Sequence, residues 1–264
     1  MLDTSANNKR IAKNTLMLYF RMVLLLVISL YTSRVILREL GVDDYGVYNV
    51  VGGIIVILSF LNQAMASGTQ RFLNVEMGKN DQKAVNKVFA TSQQIHFGVS
   101  FCMFIIAETV GLWFLNNYMN IPEGRLGAAN WVYQFSIISA IFGVFTVPYN
   151  ATIISHEKMS AFAYISIVEA VLKLLVAFAI IWAPYDKLII YAALIMLVSM
   201  INCVVYVNYG IKNFEECRHF TLKRNKLMMK QMLSFSGWTV FGNLGYILHT
   251  QGIAIVVNMF FTVA

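Results

Sequence analysis

The sequence predicts an all-α polytopic membrane protein, and three observations predict it. Of the 264 residues 58% are apolar and 12% charged, with a mean hydropathy of +0.65, where an ordinary soluble domain carries about 25% charge. The apolar residues gather in tracts long enough, at about 1.5 Å per residue, to cross a hydrocarbon core of about 30 Å as helices. Only three prolines interrupt the chain, and proline inside a helix costs about 3 kcal/mol. The same tracts are too long for barrel strands, which would show about 10 residues of strict alternation.

Taken in order, the spans are residues 16–37, 47–72, 88–115, 128–154, 161–183, 188–211, and a seventh from 232 towards the end of the chain. The first follows Lys9, Arg10 and Lys13 in the manner of a signal peptide. Its apolar run is too long for one, and no small-residue cleavage pattern follows, so it is a span. Residues 212–230 form the longest polar connection and separate an N-terminal six-helix unit, residues 1–211, from the first helix of a second unit, residues 231–264. The chain ends in an apolar tract with no polar tail, Val256 to Ala264, which reads as a truncation.

Charge gives the orientation. Lys and Arg outnumber Asp and Glu by 20 to 13, a formal charge of +7, which in a soluble chain would raise nucleic acid as a partner. Here the basic residues are sorted by side. Fourteen of them fall on alternate connections, from Lys9, Arg10 and Lys13 to the cluster between Lys212 and Lys230, while the opposite connections hold Arg38, Arg125 and Lys187. Basic loops stay cytoplasmic, so the N-terminus is expected there and no nucleic-acid partner is implied. The first outer connection is acidic, with Glu39, Asp43 and Asp44. Cys102, Cys203 and Cys217 form no C-x-x-C pair and read as plain buried or cytosolic thiols.

Charges within spans are the first place to look for function, since each costs about 2.5 to 3.5 kcal/mol at mid-membrane. Lys173 follows Glu169 by four residues in the fifth span, the favourable order for a helical ion pair. The two either neutralise each other or face a transport path. Arg21 and Arg34 lie 13 residues apart in the first span, about 220° around an ideal helix, so one face cannot present both. Arg21, nearer the basic end, reads as a cavity residue; Arg34, close to Arg38, reads as interfacial or as a gating residue.

The second span carries a polar stripe. Ser59, Asn62, Gln63, Ser67 and Gln70 share one helical side, while Phe60, Leu61, Ala64 and Met65 take the other. A stripe of this length points to a water-filled cavity rather than to a single seam of interhelical hydrogen bonds. Ser92, His96 and Ser100 continue the polar theme in the third span at four-residue steps, and His96 reads more readily as a hydrogen-bonded bundle residue than as a proton carrier. Pro148 removes a helix hydrogen bond near the end of the fourth span and predicts a kink, with Asn150 placed to satisfy what it frees. No D-x-D, no G-x-x-x-x-G-K and no ordered outer loop with catalytic groups appears, so an enzyme and a nucleotide-driven pump are both disfavoured.

Several motifs carry a family resemblance. Leu40-Gly41-Val42-Asp43-Asp44-Tyr45-Gly46-Val47-Tyr48-Asn49, Thr69-Gln70-Arg71-Phe72-Leu73 with Glu76-Met77-Gly78, Pro148-Tyr149-Asn150-Ala151 and His156-Glu157-Lys158-Met159 resemble the oligosaccharide-lipid and O-antigen flippases. These belong to the multidrug/oligosaccharidyl-lipid/polysaccharide exporter superfamily. The resemblance implies two six-helix lobes rocking around a central cavity in a bacterial inner membrane, of which this chain is the first lobe and the seventh helix. The implied activity is transfer of a polyprenyl-pyrophosphate-linked oligosaccharide to the outer leaflet for surface polysaccharide and lipopolysaccharide synthesis. The substrate and the surrounding lipid are the implied partners, with glycan polymerases or glycosyltransferases as neighbours and no cofactor or metal. On this reading Arg21, Asn62, Gln63, Gln70, Glu169 and Lys173 line the cavity, and Arg34, Ser59, Ser67, His96, Pro148 and Asn150 border or gate it. The rival classes are a cation-coupled exporter of organic cations, which would want intramembrane acids, and a membrane scaffold, which would not need the stripe.

Overall fold

The computed structural model describes residues 4–218 and 225–242, apart from the side chains of residues 4–7, 10, 54 and 56–61. Every regular element among the described residues is helical. Helix α1 covers Thr4–Gly78 and breaks once, at Gly41, where φ is 78° and ψ 173°. That conformation is open essentially to glycine alone. The predicted acidic loop between the first two spans is therefore not a loop: helix runs up to Gly41 and resumes directly after it, because one glycine suffices to redirect the chain. The two arms fold back on each other. Arg21 in the first arm stacks on Phe162, and Phe162 also packs on the core cluster that buries Leu73 of the second arm. A straight helix would hold residues 21 and 73 roughly 78 Å apart.

The remaining helices alternate in direction beside this hairpin. Helix α2 (Gln82–Ile106) passes through a π-turn at Ala107–Gly111 into α3 (Leu112–Tyr118), followed by α4 (Leu126–Ser155), α5 (Met159–Ala179) with a 3-10 turn at Ile180–Trp182, and α6 (Lys187–Asn213). Residues 226–242 are helical again, starting six residues before the sequence places the seventh span. The predicted spans 128–154, 161–183 and 188–211 agree with α4, α5 with its 3-10 turn, and α6 to within two residues, whereas the first two lie inside the longer arms of α1, which starts at Thr4 and ends at Gly78, and α2 starts at Gln82, before the predicted residue 88. Its start is set by Asp81, whose carboxylate accepts from the Ala84 amide at 3.0 Å, a cap that stabilises such a helix by about 1 kcal/mol.

Among the described residues five helices are long and apolar enough to cross a membrane: Ile11–Gly53, Gln82–Tyr118, Leu126–Ser155, Met159–Trp182 and Lys187–Asn213. The chain is thus a multi-pass membrane protein. Its exposed apolar side chains fit that solvent, with Leu26, Leu30, Phe101, Trp131 and Leu175 all turned outward.

Two core clusters mark the two ends of the bundle. At the Gly41 end Val47, Val51 and Ile55 of α1 pack with Leu115, Ala129, Tyr133 and Leu188. At the Gly78 end Met65 and Leu73 pack with Val85, Phe89, Tyr149, Ile153 and Met232. The π-turn has a visible cause and consequence. Gly111 leaves room for the Tyr133 hydroxyl, which any Cβ would strike, and that hydroxyl donates to the Ala107 carbonyl at 2.8 Å. The Ala107 carbonyl also accepts the Leu112 amide across the π-turn, so Tyr133 fills its second lone pair and pins the turn to α4.

Candidate functional site

A cavity of about 360 Å³ lies between the first arm of α1 and α5, lined among others by Arg21, Ser29, Ser33, Glu169, Lys173 and Tyr191. The two helices run in the same direction, with Arg21 against Phe162 at one end and Ile36 against Val176, Ala177 and Ile180 at the other. Small and hydroxylated residues on the α1 face, Ser29, Thr32 and Ser33, keep the gap open.

Three charges meet in this cavity, and two cancel. Lys173 Nζ donates to Glu169 Oε1 at 2.6 Å, as the four-residue spacing predicts, and Asn202 Nδ2 of α6 donates to Glu169 Oε2 at 3.0 Å. Glu169 is therefore held by one cation and one amide. Arg21 has no carboxylate partner among the described residues. Its guanidinium carbon sits 4.2 Å from the centre of the Phe162 ring, and its buried Nε has no hydrogen-bond partner. The ring offers a cation a favourable face, yet it leaves the guanidinium edge and its fork of donors free for an anion. The site as a whole carries one uncompensated positive charge.

Asn202 was not legible as part of this site from sequence, although an amide near the middle of the apolar sixth span is itself a signal. Arg34 is exposed and lies away from the cavity, as expected for a residue about 220° around the helix from Arg21.

The stripe on the second arm of α1 takes the side that the core leaves open. Gln63 is exposed and Asn62, Ser67 and Gln70 are half-buried, whereas Ala64, Met65 and Thr69 are buried. Ser67 Oγ donates to the Gln63 carbonyl at 3.1 Å, and Asn62 Oδ1 has no hydrogen-bond partner among the described residues. The Ser59 side chain lies outside the described residues. None of the stripe lines the Arg21 cavity, so the structure presents the predicted site as two separate polar surfaces.

His96 is buried and bonded within its own helix. Its Nδ1–H donates to the Ser92 carbonyl at 2.7 Å, Ser100 Oγ donates to the His96 carbonyl at 2.8 Å, and Ser92 Oγ meets Thr69 Oγ1 of α1 at 2.8 Å. This is a hydrogen-bonded stitch between α1 and α2 rather than part of the cavity. Helix α4 continues through Pro148. Asn150 does not take the satisfying role expected of it: the carbonyl that Pro148 frees is that of Val144, six residues before Asn150 and beyond the one-turn reach of its side chain, and Asn150 Oδ1 has no partner among the described residues.

Sequence reasoning missed a polar cluster at each end of the bundle. At the Gly41 end Arg125 Nε donates to Asp44 Oδ1 at 2.7 Å and Arg125 Nη1 to Asp186 Oδ2 at 2.5 Å, while Lys187 reaches Glu39 at 3.0 Å. Burial alone would raise the Asp186 pKa, but the hydrogen bonds from Arg125 and from the Ile189 and Leu188 amides outweigh it and hold it down. The same bond to Asp186, joined by Asp44, raises Arg125. All three basic residues of these connections thus meet acids at the same end, Arg38 lying 3.8 Å from Glu39, a pairing that the sequence offers only as opposite charges on neighbouring connections.

At the Gly78 end Glu216, 2% exposed, receives His156 Nε2 at 2.6 Å and Gln82 Nε2 at 3.3 Å. Burial raises the Glu216 pKa and these partners, His156 first, bring it below its ordinary value. Beside it burial, reinforced by the Glu216 charge, pushes the Cys217 thiol up to about 12, so this cysteine is inert as a nucleophile.

Among the described residues no group of three or more His, Cys, Asp or Glu side chains could hold a metal ion. Comparison with protein-family models, with curated proteins and with solved structures finds no match.

Proposed function

We propose that this chain is the N-terminal lobe and seventh helix of a flippase that carries a polyprenyl-pyrophosphate-linked oligosaccharide across a bacterial inner membrane by alternating access. The observation that carries the reading is the uncompensated Arg21 in a cavity bounded by membrane-spanning helices. Hydrocarbon rejects a pyrophosphate, and a guanidinium with free donors replaces part of the water such a group loses. The stripe of Asn62, Gln63, Ser67 and Gln70 supports the same reading, since amides and hydroxyls on an uncovered helix face can hydrate a sugar. The prenyl tail stays in lipid.

An exporter of organic cations fits less well, because Glu169 is already occupied by Lys173 and Asn202 and offers a cation no free acid. Orientation follows the basic residues: the Gly78 end, rich in Lys and Arg, faces the cytoplasm, and the Arg125 cluster faces outward. In this arrangement the second six-helix lobe completes the cavity across the stripe, and residues 212–230 connect the lobes.

The test is the fate of the lipid-linked glycan when the gene is deleted. The proposal expects the intermediate to accumulate in the inner leaflet, where an added glycosidase cannot reach it in intact spheroplasts, and surface glycan to disappear. Unchanged surface glycan together with loss of resistance to an organic cation would favour the exporter instead.

A further inference from the structure

The helix over residues 226–242 and the second arm of α1 run antiparallel and meet closely at one point. A Cβ at Gly68 would come within 2.6 Å of Ser236 Oγ, and one turn on Phe72 meets Phe235 edge to face, with ring centres 6.5 Å apart. Towards the Gly78 end the two helices leave a groove of about 750 Å³, bounded by Arg71, Phe72, Val75, Leu227, Lys230 and Trp238 among others. It lies on the opposite side of the second arm from the polar stripe.

The groove is cationic at its rim and apolar along its wall. Arg71 is exposed, and its guanidinium lies 4.4 Å from the Phe235 ring centre, which fixes its position while leaving its donors open. Lys230 stands on the facing helix, and neither it nor Arg71 pairs with a carboxylate among the described residues. Glu76, the one acid on the groove's lining, is taken by Lys79 at 2.8 Å. Val75, Leu227 and Trp238 are exposed beside these charges, Trp238 by 75%. A free phosphate would use the rim and leave the apolar wall wet. An anionic phospholipid uses both, because its phosphate meets the bases and its acyl chain covers the wall.

We propose that this groove binds the headgroup of an anionic phospholipid, with Arg71 and Lys230 on the phosphate and Val75, Leu227 and Trp238 along the acyl chain. The site is independent of the transport reading: it uses no residue of the Arg21 cavity and holds whether or not the chain moves a glycan.

The experiment is native mass spectrometry of the full chain in neutral detergent, titrated with phosphatidylglycerol or phosphatidylethanolamine. Phosphatidylglycerol should form a one-lipid adduct at concentrations where phosphatidylethanolamine does not. Arg71→Ala and Lys230→Ala should each weaken it by about fivefold, the worth of one basic residue near an anionic headgroup. Lys83→Ala, an exposed base at the same end outside the groove, should leave it unchanged. The two substitutions lie on different helices and both side chains are exposed, so misfolding of one variant leaves the other decisive. Equal binding of the two lipids, undiminished phosphatidylglycerol binding in both variants, or displacement of the lipid by inorganic phosphate at equal concentration would each overturn the proposal, the last by marking a soluble-anion site.

Discussion

Arg125 grips Asp186 through two donors, Nη1 to Oδ2 at 2.5 Å and Nη2 to Oδ1 at 3.1 Å, while the same Asp186 Oδ1 accepts from the Leu188 amide at 3.0 Å and so caps α6. With Asp44 on its other edge, one guanidinium ties the turn of α1, the start of α4 and the start of α6 together. All three side chains are partly exposed, at 28% or less, which places their worth between that of a surface pair and that of a buried one. Arg125→Ala should lower stability by about 2 kcal/mol, as expected for losing hydrogen bonds between charged groups. Arg125→Lys should recover less than half, since an ammonium cannot serve two carboxylates as a fork does. Thermal unfolding in detergent checks both.

The pH dependence of that cluster has a definite sign. The Asp186 pKa is lower in the folded chain than in the unfolded one, so its contribution is fully present above the unfolded value of about 3.9 and is lost as pH falls through the depressed folded value. Below about pH 4 the wild type should therefore lose stability more steeply than Asp186→Asn, which keeps a capping oxygen but does not titrate. Parallel curves for the two proteins between pH 5 and pH 3 would contradict the assignment.

Orientation is accessible to labelling. Asn80 and Asn117 are both exposed and lie at opposite ends of the bundle. A cysteine at Asn117 should react with a membrane-impermeant reagent added to intact cells, and one at Asn80 should not. The reverse pattern would invert the proposed direction of transport.

The stripe on α1 makes a prediction within adjacent residues. Gln63 is exposed while Ala64 is buried, so on the proposed cavity reading a cysteine at Gln63 should react with a small hydrophilic thiol reagent and one at Ala64 should not. Protection of both would identify the stripe as a packing seam with other membrane helices.

What the sequence makes legible here is what short spacing determines. The Glu169–Lys173 pair, the Ser92–His96–Ser100 ladder and the separation of Arg21 from Arg34 all follow from 3.6 residues per turn, and each is present. The helices themselves follow from hydropathy. Contacts between distant segments do not: Asn202 reaches Glu169 across 33 residues, and Arg125 reaches Asp186 across 61 and Asp44 across 81. Such contacts depend on how helices pack, which in lipid is decided by local fit and polar pairing rather than by a hydrophobic pattern. The abrupt turn at Gly41 reads as a loop in the sequence because charged residues surround it, although the glycine itself carries the signal. Asn150 does not help Pro148 because the carbonyl that the proline frees, that of Val144, lies six residues before it, beyond the one-turn reach of its side chain.

The claim at the centre of the account is that Arg21 serves substrate while Lys173 serves Glu169. Restoration of surface glycan in a flippase-deficient strain tests it most directly, with each variant's membrane level measured alongside. Removing both partners of the ion pair, Glu169→Gln with Lys173→Met, should leave export within about threefold of wild type, since a paired charge is replaceable when both members go together. Arg21→Ala, inserted at normal levels, should abolish export, and Arg21→Lys should retain part of it because a point charge still attracts a phosphate without the bidentate fork. Normal export by Arg21→Ala would contradict the account and leave the cavity charges as structural features of the bundle.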